Sequence, residues 1–290
     1  MPGRYRYGYV PRHEARPAAK DYRAYLRGPD ELGGMPAFVM CRNVAAWLRV
    51  LDQQNTSMCV PFSDALRFWY LEKLLGRPRP ILPSPVFEYG ETHIGHLQEG
   101  TDPLQALSVL QHIGACPWSL DSFSNPDMTA ADAVASLRPE DVAEAHEHRI
   151  SRWATVPVDL AHLRAVWHQS YPVALAGTVF PAFETPVMMG VSPSAPDVFR
   201  LAIGHMSEVA AVVPGSWYRQ GALGGHQWLS FGSIPRSYFP QPISEGCNDY
   251  IVCATTWGYW VPGPVALFLL PATYLPNVAE ATVITDLAEP

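Results

Sequence analysis

A cysteine becomes a nucleophile when something lowers its pKa from about 8.5 or removes its proton. Cys59 stands directly ahead of a long apolar run that carries Ala65, Leu66, Phe68, Trp69, Leu71, Leu74 and Leu75. Their i, i+3, i+4 spacing predicts a helix with one apolar stripe and Cys59 at its start. A helix N-terminus offers unpaired N–H groups and positive potential, both of which favour a thiolate. Gln53, six residues upstream, is placed to return its amide to the same point. With the Cys59 N–H it would form a two-donor oxyanion hole. The matching base is far along the chain. In "GALGGHQWLSFG", His226 follows Gly224 and Gly225 and opens an apolar strand. Glycines there let another backbone, such as a substrate's, approach closely. A strand later comes "CATTWG", where Thr255 or Thr256 could hold the imidazole and Trp257 could shield that contact from water.

These blocks resemble, in order, those of the papain-like cysteine peptidases, most closely their bacterial and viral relatives. Asp52-Gln53-Gln54-Asn55-Thr56-Ser57-Met58-Cys59 resembles the family's Asp-Gln-Gly stretch leading to Gly-Ser-Cys. Gln54, Ser57 and Met58 replace its small residues. Gly224-Gly225-His226 through Gly232 is similar to the Gly-Gly-His strand. Thr255-Thr256-Trp257-Gly258 aligns with Asn-Ser-Trp-Gly. "MPAFVMCRN", "EGTDPLQALSVLQHIGACPW", "DLAHLRAVWHQSYPVALAGTVFPAF" and "VALFLLPATYL" resemble the segments between and after these blocks, so the likeness runs through most of the chain.

The resemblance implies an α+β, two-lobe papain-like fold, with a helical lobe, a β-barrel-like lobe and the cleft between them. It assigns residues 1–45 to an extended N-terminal segment, 46–155 to the helical lobe with Cys59, and 156–290 to the β-rich lobe with His226. It also implies catalytic roles for Cys59, His226, Gln53 and Thr255, and substrate contacts from Gly100, Gly225 and Trp257. Gly100 reads equally well as a plain turn into a helix. Departures from the pattern keep a second class open: a catalytically silent papain-like protein with a structural or binding role in a larger assembly, for example a virus particle. Thr255 has a shorter reach than the family's Asn, and Met58 and Gln227 add bulk expected to narrow the cleft. Taken alone, Cys59 reads more readily as a buried thiol and His226 as a strand histidine; it is their register with Gln53 that reverses this.

The elements that must position these groups follow from local signals. Helices are expected over 102–114 (Asp102 as N-cap, Gly114 at the end), from Thr129, over 138–153 and over 159–170. Six short β-branched or aromatic runs then follow: "YPVALAGTVF", "VFRLAIGHM", "EVAAVVPG", "GHQWLSFGS", "DYIVCATTW" and "PVALFLLP". Helices first and strands afterwards point to α+β. With 48% hydrophobic and 16% charged residues in 290, the chain can bury a sizeable core. Its net charge of -7 and the absence of a basic run in its body argue against nucleic acid as a partner. The short basic, aromatic "RYRYGYVPR" reads as an extended segment packed on the surface.

Residues 250–279 carry no charge, but Pro262, Gly263, Pro264, Pro271 and Pro276 interrupt them, so they read as buried strands rather than a membrane span. Neither a signal peptide nor a transmembrane helix is expected, which leaves a cytoplasmic or particle-associated location. The five cysteines form no CxxC pair, and Cys41, Cys116, Cys247 and Cys253 read as packing residues. No metal or organic cofactor is required. "HIGH" (residues 93–96) reads as surface or helix-end residues. "HEH" (146–148) reads as a helical stretch whose two histidines do not share a face. The expected partners are a peptide or protein substrate and assembly partner proteins, with no membrane.

Overall fold

The computed structural model describes residues 7–10, 20–213, 221–240, 247–258 and 266–289. In chain order come two 3-10 turns (Tyr22–Ala24 and Pro29–Glu31), strand β1 (Val39–Met40) and helices α1 (Val44–Trp47), α2 (Cys59–Leu74), α3 (Pro85–Thr92), α4 (Pro103–His112), α5 (Ala130–Ser136) and α6 (Pro139–Ala145). Strand β2 (Ile150–Thr155), helix α7 (Leu160–His168), strands β3 (Val173–Val179) and β4 (Val187–Gly190), helix α8 (Asp197–Ala202) and strands β5 (Glu208–Ala211), β6 (Gly224–Pro235), β7 (Asp249–Ala254), β8 (Leu267–Pro271) and β9 (Val278–Leu287) follow.

The expected helix starts are met where a cap was legible. Asp102 accepts from Leu104 and Gln105 N–H, Thr129 closes a capping box with Asp132, and Asp159 accepts from His162 N–H. Three expectations fail. The stretch 138–153 is helical only to Ala145 and then becomes β2, which pairs antiparallel with β9 from Ile150 to Thr155, with register shifts on either side of Arg152. "VFRLAIGHM" is mostly α8, not a strand: Pro196 starts it, and Phe199, Ala202 and Ile203 bury one helical face. Helix α2 is not striped. Its residues from Cys59 through Glu72 are all buried, so it runs through the interior with protein on every side.

The sheet runs β2-β9-β3-β6-β7-β8-β5-β4, with β1 added to β6. Among the described residues it is open, since β2 and β4 do not pair with each other, so the β-rich part is an open sheet and not a closed barrel. Strand β6 is its hub, pairing antiparallel with β1, β3 and β7. Gly232 is required on it, because a Cβ there would lie 2.2 Å from the Val39 carbonyl of β1. The main core joins α2 and α3 to the inner faces of β3, β6, β7 and β8. Residues 250–258 and 266–279 hold β7, β8, a 3-10 stretch and the start of β9. Among the described residues no helix is long and apolar enough to cross a membrane.

Candidate active site

Cys59 is the first residue of α2, after Met58 as N-cap. Residues 51–53 hold this helix tip against the loop that follows β7. Gln53 N–H donates to Thr256 O (2.8 Å), Gly258 N–H donates to Leu51 O (2.9 Å), and Asp52 bridges Trp257. Gly258 must be glycine. Its φ is +60°, and a Cβ would lie 2.6 Å from an Asp52 carboxylate oxygen. Two blocks about two hundred residues apart in the chain are thereby joined by main-chain bonds.

The Gln53 amide is clamped at both ends. Its oxygen accepts from Thr256 Oγ1 (2.6 Å), and its Nε2 donates to Thr56 O (2.8 Å). It is fully buried beside the helix tip. Thr255 does not orient His226. Its hydroxyl accepts from Trp257 N–H (3.1 Å), and neither imidazole nitrogen of His226 has a hydrogen-bond partner among the described residues. The physical reason is reach: a hydroxyl one bond from Cβ closes a local turn with its own loop before it can extend to the next strand.

His226 pairs with Gly177 of β3 and is fully buried. Trp257 covers its ring at 4.3 Å between centroids and a 35° tilt, and Trp228 meets it edge-on at 5.4 Å. The Gln227 N–H, one residue on, points at the Cys59 thiol. The tip of α2 therefore meets β6 at the residue after His226, and thiol and imidazole are not hydrogen-bonded to each other. Both are electrically silent. Burial raises the Cys59 pKa to about 12 and lowers that of His226 to about 3, so each holds its neutral form.

The N-terminal segment explains the burial, and it corrects the expectation of a surface-packed arm. Residues 7–10 run through the cleft. Tyr9 N–H donates to Gly225 O (3.0 Å), Thr101 N–H to Gly8 O (2.6 Å) and Val10 N–H to Thr101 O (3.3 Å), in a parallel bridge with Thr101. Tyr9 packs with Cys59, Val60, Ala106 and Ala176, and is 6% exposed. Tyr7 meets Trp257 edge-on and donates to Glu184 (2.7 Å). The remaining residues of "RYRYGYVPR" lie outside the described residues.

The glycines of this cleft fit that segment. A Cβ on Gly100 (φ +92°) would lie 2.8 Å from Gly8 O, and one on Gly225 would lie 2.4 Å from Tyr9 O. A Cβ on Gly8 itself would lie 1.8 Å from the Ser57 carbonyl oxygen. Gly100 therefore lies in the turn ahead of α4, against residues 8 and 10 of the N-terminal segment.

Three further corrections concern bulk and burial. Met58 points into the main core and does not narrow the cleft. Gln227 does not narrow it either, because adjacent strand residues face opposite ways and its side chain turns toward α2, where it bonds Asp64. His93 of "HIGH" ends α3 but is not on the surface. It is fully buried, with Nδ1 on Tyr89 O (2.7 Å) and Nε2 on Gly100 O (2.9 Å), and so it holds the glycine of the cleft wall. The unexpected polar residues are Asp64, Arg67 and Glu88, all buried behind the cleft. Their only sequence signal was charge at helical positions that packing turned inward.

The sequence matches no family model and no curated protein. Solved structures do match. Xylellain, a cysteine protease from Xylella fastidiosa, superimposes with a TM-score of 0.72 at 19% identity, covering 97% of this chain and 96% of that one. Procathepsin B S9 from Trypanosoma congolense gives 0.65 at 11%, covering 97% and 86%. Digestive procathepsin L2 from the Tenebrio molitor larval midgut gives 0.60 at 15%, covering 97% and 78%. The fold is that of the papain-like cysteine proteases. Within the papain-like frame, Gln54 occupies the glycine position of the first block. It adopts φ +53°, the left-handed region that glycine enters without strain. The papain-like segment after Gly258, compressed in this sequence, lies outside the described residues.

Proposed function

We propose that the chain is a cysteine peptidase held latent by its own N-terminal segment. One observation carries this reading: the Cys59 thiol, at a helix tip, meets strand β6 beside His226, under a peptide bonded to both walls of the cleft. In the working state residues 7–10 leave, and water and substrate enter. With solvent restored, the desolvation that keeps both groups neutral falls away, and His226 takes the Cys59 proton. The thiolate attacks the scissile carbonyl carbon. The oxyanion is held by the Cys59 N–H and the fixed Gln53 amide. His226 returns the proton to the leaving amine as the C–N bond breaks. Water, deprotonated by His226, then hydrolyses the thioester and releases the acid and the thiol. The substrate is a peptide or protein segment in extended form, the form in which residues 7–10 lie.

The test uses the full chain carrying Gly8→Val, which cannot seat residue 8 against Ser57. The opened chain should label Cys59 with iodoacetamide at pH 6 far faster than Cys116. It should cleave an unfolded protein substrate, and Cys59→Ser should abolish that cleavage. Slow, equal labelling of Cys59 and Cys116 in the opened chain would select the silent, structural reading instead.

A further inference from the structure

Behind the cleft four polar side chains are buried where aliphatic ones would fill the space. Gln227 and Arg67 are 1% exposed, and Asp64 and Glu88 are no more open. Asp64 accepts from Arg67 Nη2 (2.6 Å) and from Gln227 Nε2 (3.0 Å) through one oxygen. Arg67 Nη1 continues to Thr282 Oγ1 (2.9 Å) and O (3.2 Å) on β9. Glu88, on α3, finds no donor among the described residues. Its bonding neighbour is the Asp64 carboxylate, and that bond needs Glu88 to keep its proton. Burial, then the Asp64 charge, push the Glu88 pKa well up and make this its stable form. Burial raises the Asp64 pKa as well, against the lowering pull of the Arg67 charge and of its hydrogen bonds.

Buried ion pairs are poor stabilisers compared with well-packed apolar residues, since desolvation offsets their attraction. What they supply is direction. Asp64 lies five residues beyond Cys59, about one and a half turns along α2. Gln227 is the residue after His226. It touches α2 three times, through its N–H on the Cys59 thiol and through its side chain on Asp64 and, at 3.5 Å, on Val60 O. We propose that Gln227 and Asp64 are positioning residues: a buried clamp that sets the spacing between helix α2 and strand β6, and so between the Cys59 sulfur and the His226 ring. The clamp rests on the peptidase reading above. With neither imidazole nitrogen hydrogen-bonded to Thr255, it holds His226 through the backbone of the neighbouring residue. Misplacement of reacting groups by about an ångström can cost about a hundredfold in rate.

The experiment follows Cys59 alkylation against pH in the full-length Gly8→Val chain, with mass spectrometry to locate the label and near-UV circular dichroism to check folding. Gln227→Met keeps the volume and removes the donors. It should fold, slow labelling at pH 6 by about tenfold or more, and move the midpoint of the rate profile toward the free-thiol value of about 8.5. Gln227→Glu, which sets two carboxylates together, should do the same. The exchange Asp64→Asn with Gln227→Glu keeps one amide and one carboxylate beside Arg67, and should return the rate to within about threefold of the parent. Glu88→Gln, a neutral donor in place of a neutral acid, should leave the profile unchanged. A folded Gln227→Met chain with the parent profile overturns the clamp, because a merely structural residue would change melting alone. Should Gln227→Met not fold, the double exchange decides: recovery supports the clamp, and a folded chain without fast labelling overturns it. If the parent itself lacks fast labelling, the peptidase reading fails, and the clamp with it. If only the variants behave like their parent, the clamp alone fails.

Discussion

The cleft segment allows a quantitative prediction. In Gly8→Val the Cβ would fall 1.8 Å from the Ser57 carbonyl oxygen and 2.3 Å from its carbon, far inside contact distance, and both belong to main chain that α2 holds in place. Residue 8 must therefore leave, taking its neighbours with it. The closed form gains three main-chain hydrogen bonds, each contributing about 1 kcal/mol net. Burying the Tyr9 ring contributes about 2 kcal/mol, and the half-buried Tyr7 ring together with its bond to Glu184 contributes about 2 kcal/mol more. Ordering four residues costs about 1–2 kcal/mol apiece. The balance is about 1 kcal/mol in favour of closure, which leaves roughly one molecule in six open. Iodoacetamide labelling of Cys59 at fixed pH should accordingly rise about sixfold in Gly8→Val, with Cys41 and Cys253 unchanged as internal controls. Gly225→Ala, whose Cβ would sit 2.4 Å from Tyr9 O, should act in the same direction. A wild-type rate equal to that of Gly8→Val would refute the reasoning, since it would mean that the segment does not restrict access to the thiol.

Gln54→Gly should stabilise the protein by about 0.5–1 kcal/mol in urea unfolding, because Gln54 sits at φ +53° where a side chain is strained. His226→Phe should raise the melting temperature and abolish fast labelling, because it replaces a fully buried imidazole without hydrogen bonds by an apolar ring. His226 holds its neutral form down to about pH 3 when folded and to about 6.5 when unfolded, so it contributes stability above pH 6.5 that is lost as pH falls toward 3. His226→Phe should flatten melting temperature over that window. Glu72 behaves in the opposite sense. Burial raises its pKa to about 7, so its contribution is complete below about pH 4.5 and is lost as pH rises through 7. Glu72→Gln, which still accepts from Ile81 N–H, should remove roughly 1–2 kcal/mol of that decline, read by thermal unfolding between pH 5 and 8.

The path from sequence to site was uneven, for physical reasons. Helix caps at Asp102, Thr129 and Asp159 act through bonds within four residues, and so they are written locally. Cys59 and His226 were legible because a helix tip and a Gly-Gly-His strand each leave a short signature. The direction of the Gln227 side chain was not. It depends on which face of β6 meets α2, and that is fixed by residues far away. Asp64 and Arg67 look in sequence like the solvent side of a helix, and only the passage of α2 through the interior turns them inward. The same limit hid the role of His93, which acts through the Gly100 carbonyl, and the end of α6 at Ala145, since β2 is held by its pairing with β9 more than a hundred residues on. Tyr7 and Tyr9 gave no hint of their destination, because their partners, Glu184 and Trp257 for one and the Gly225 carbonyl for the other, lie more than a hundred and seventy residues on.

That the occupant of the cleft belongs to the same chain changes how it can be dislodged. A tethered ligand meets its site at an effective concentration set by the linker and not by the tube, so dilution leaves the closed fraction untouched. A single cut between Val10 and Lys20 would turn the occupant into a free peptide with an ordinary dissociation constant. From then on, washing alone would empty the groove.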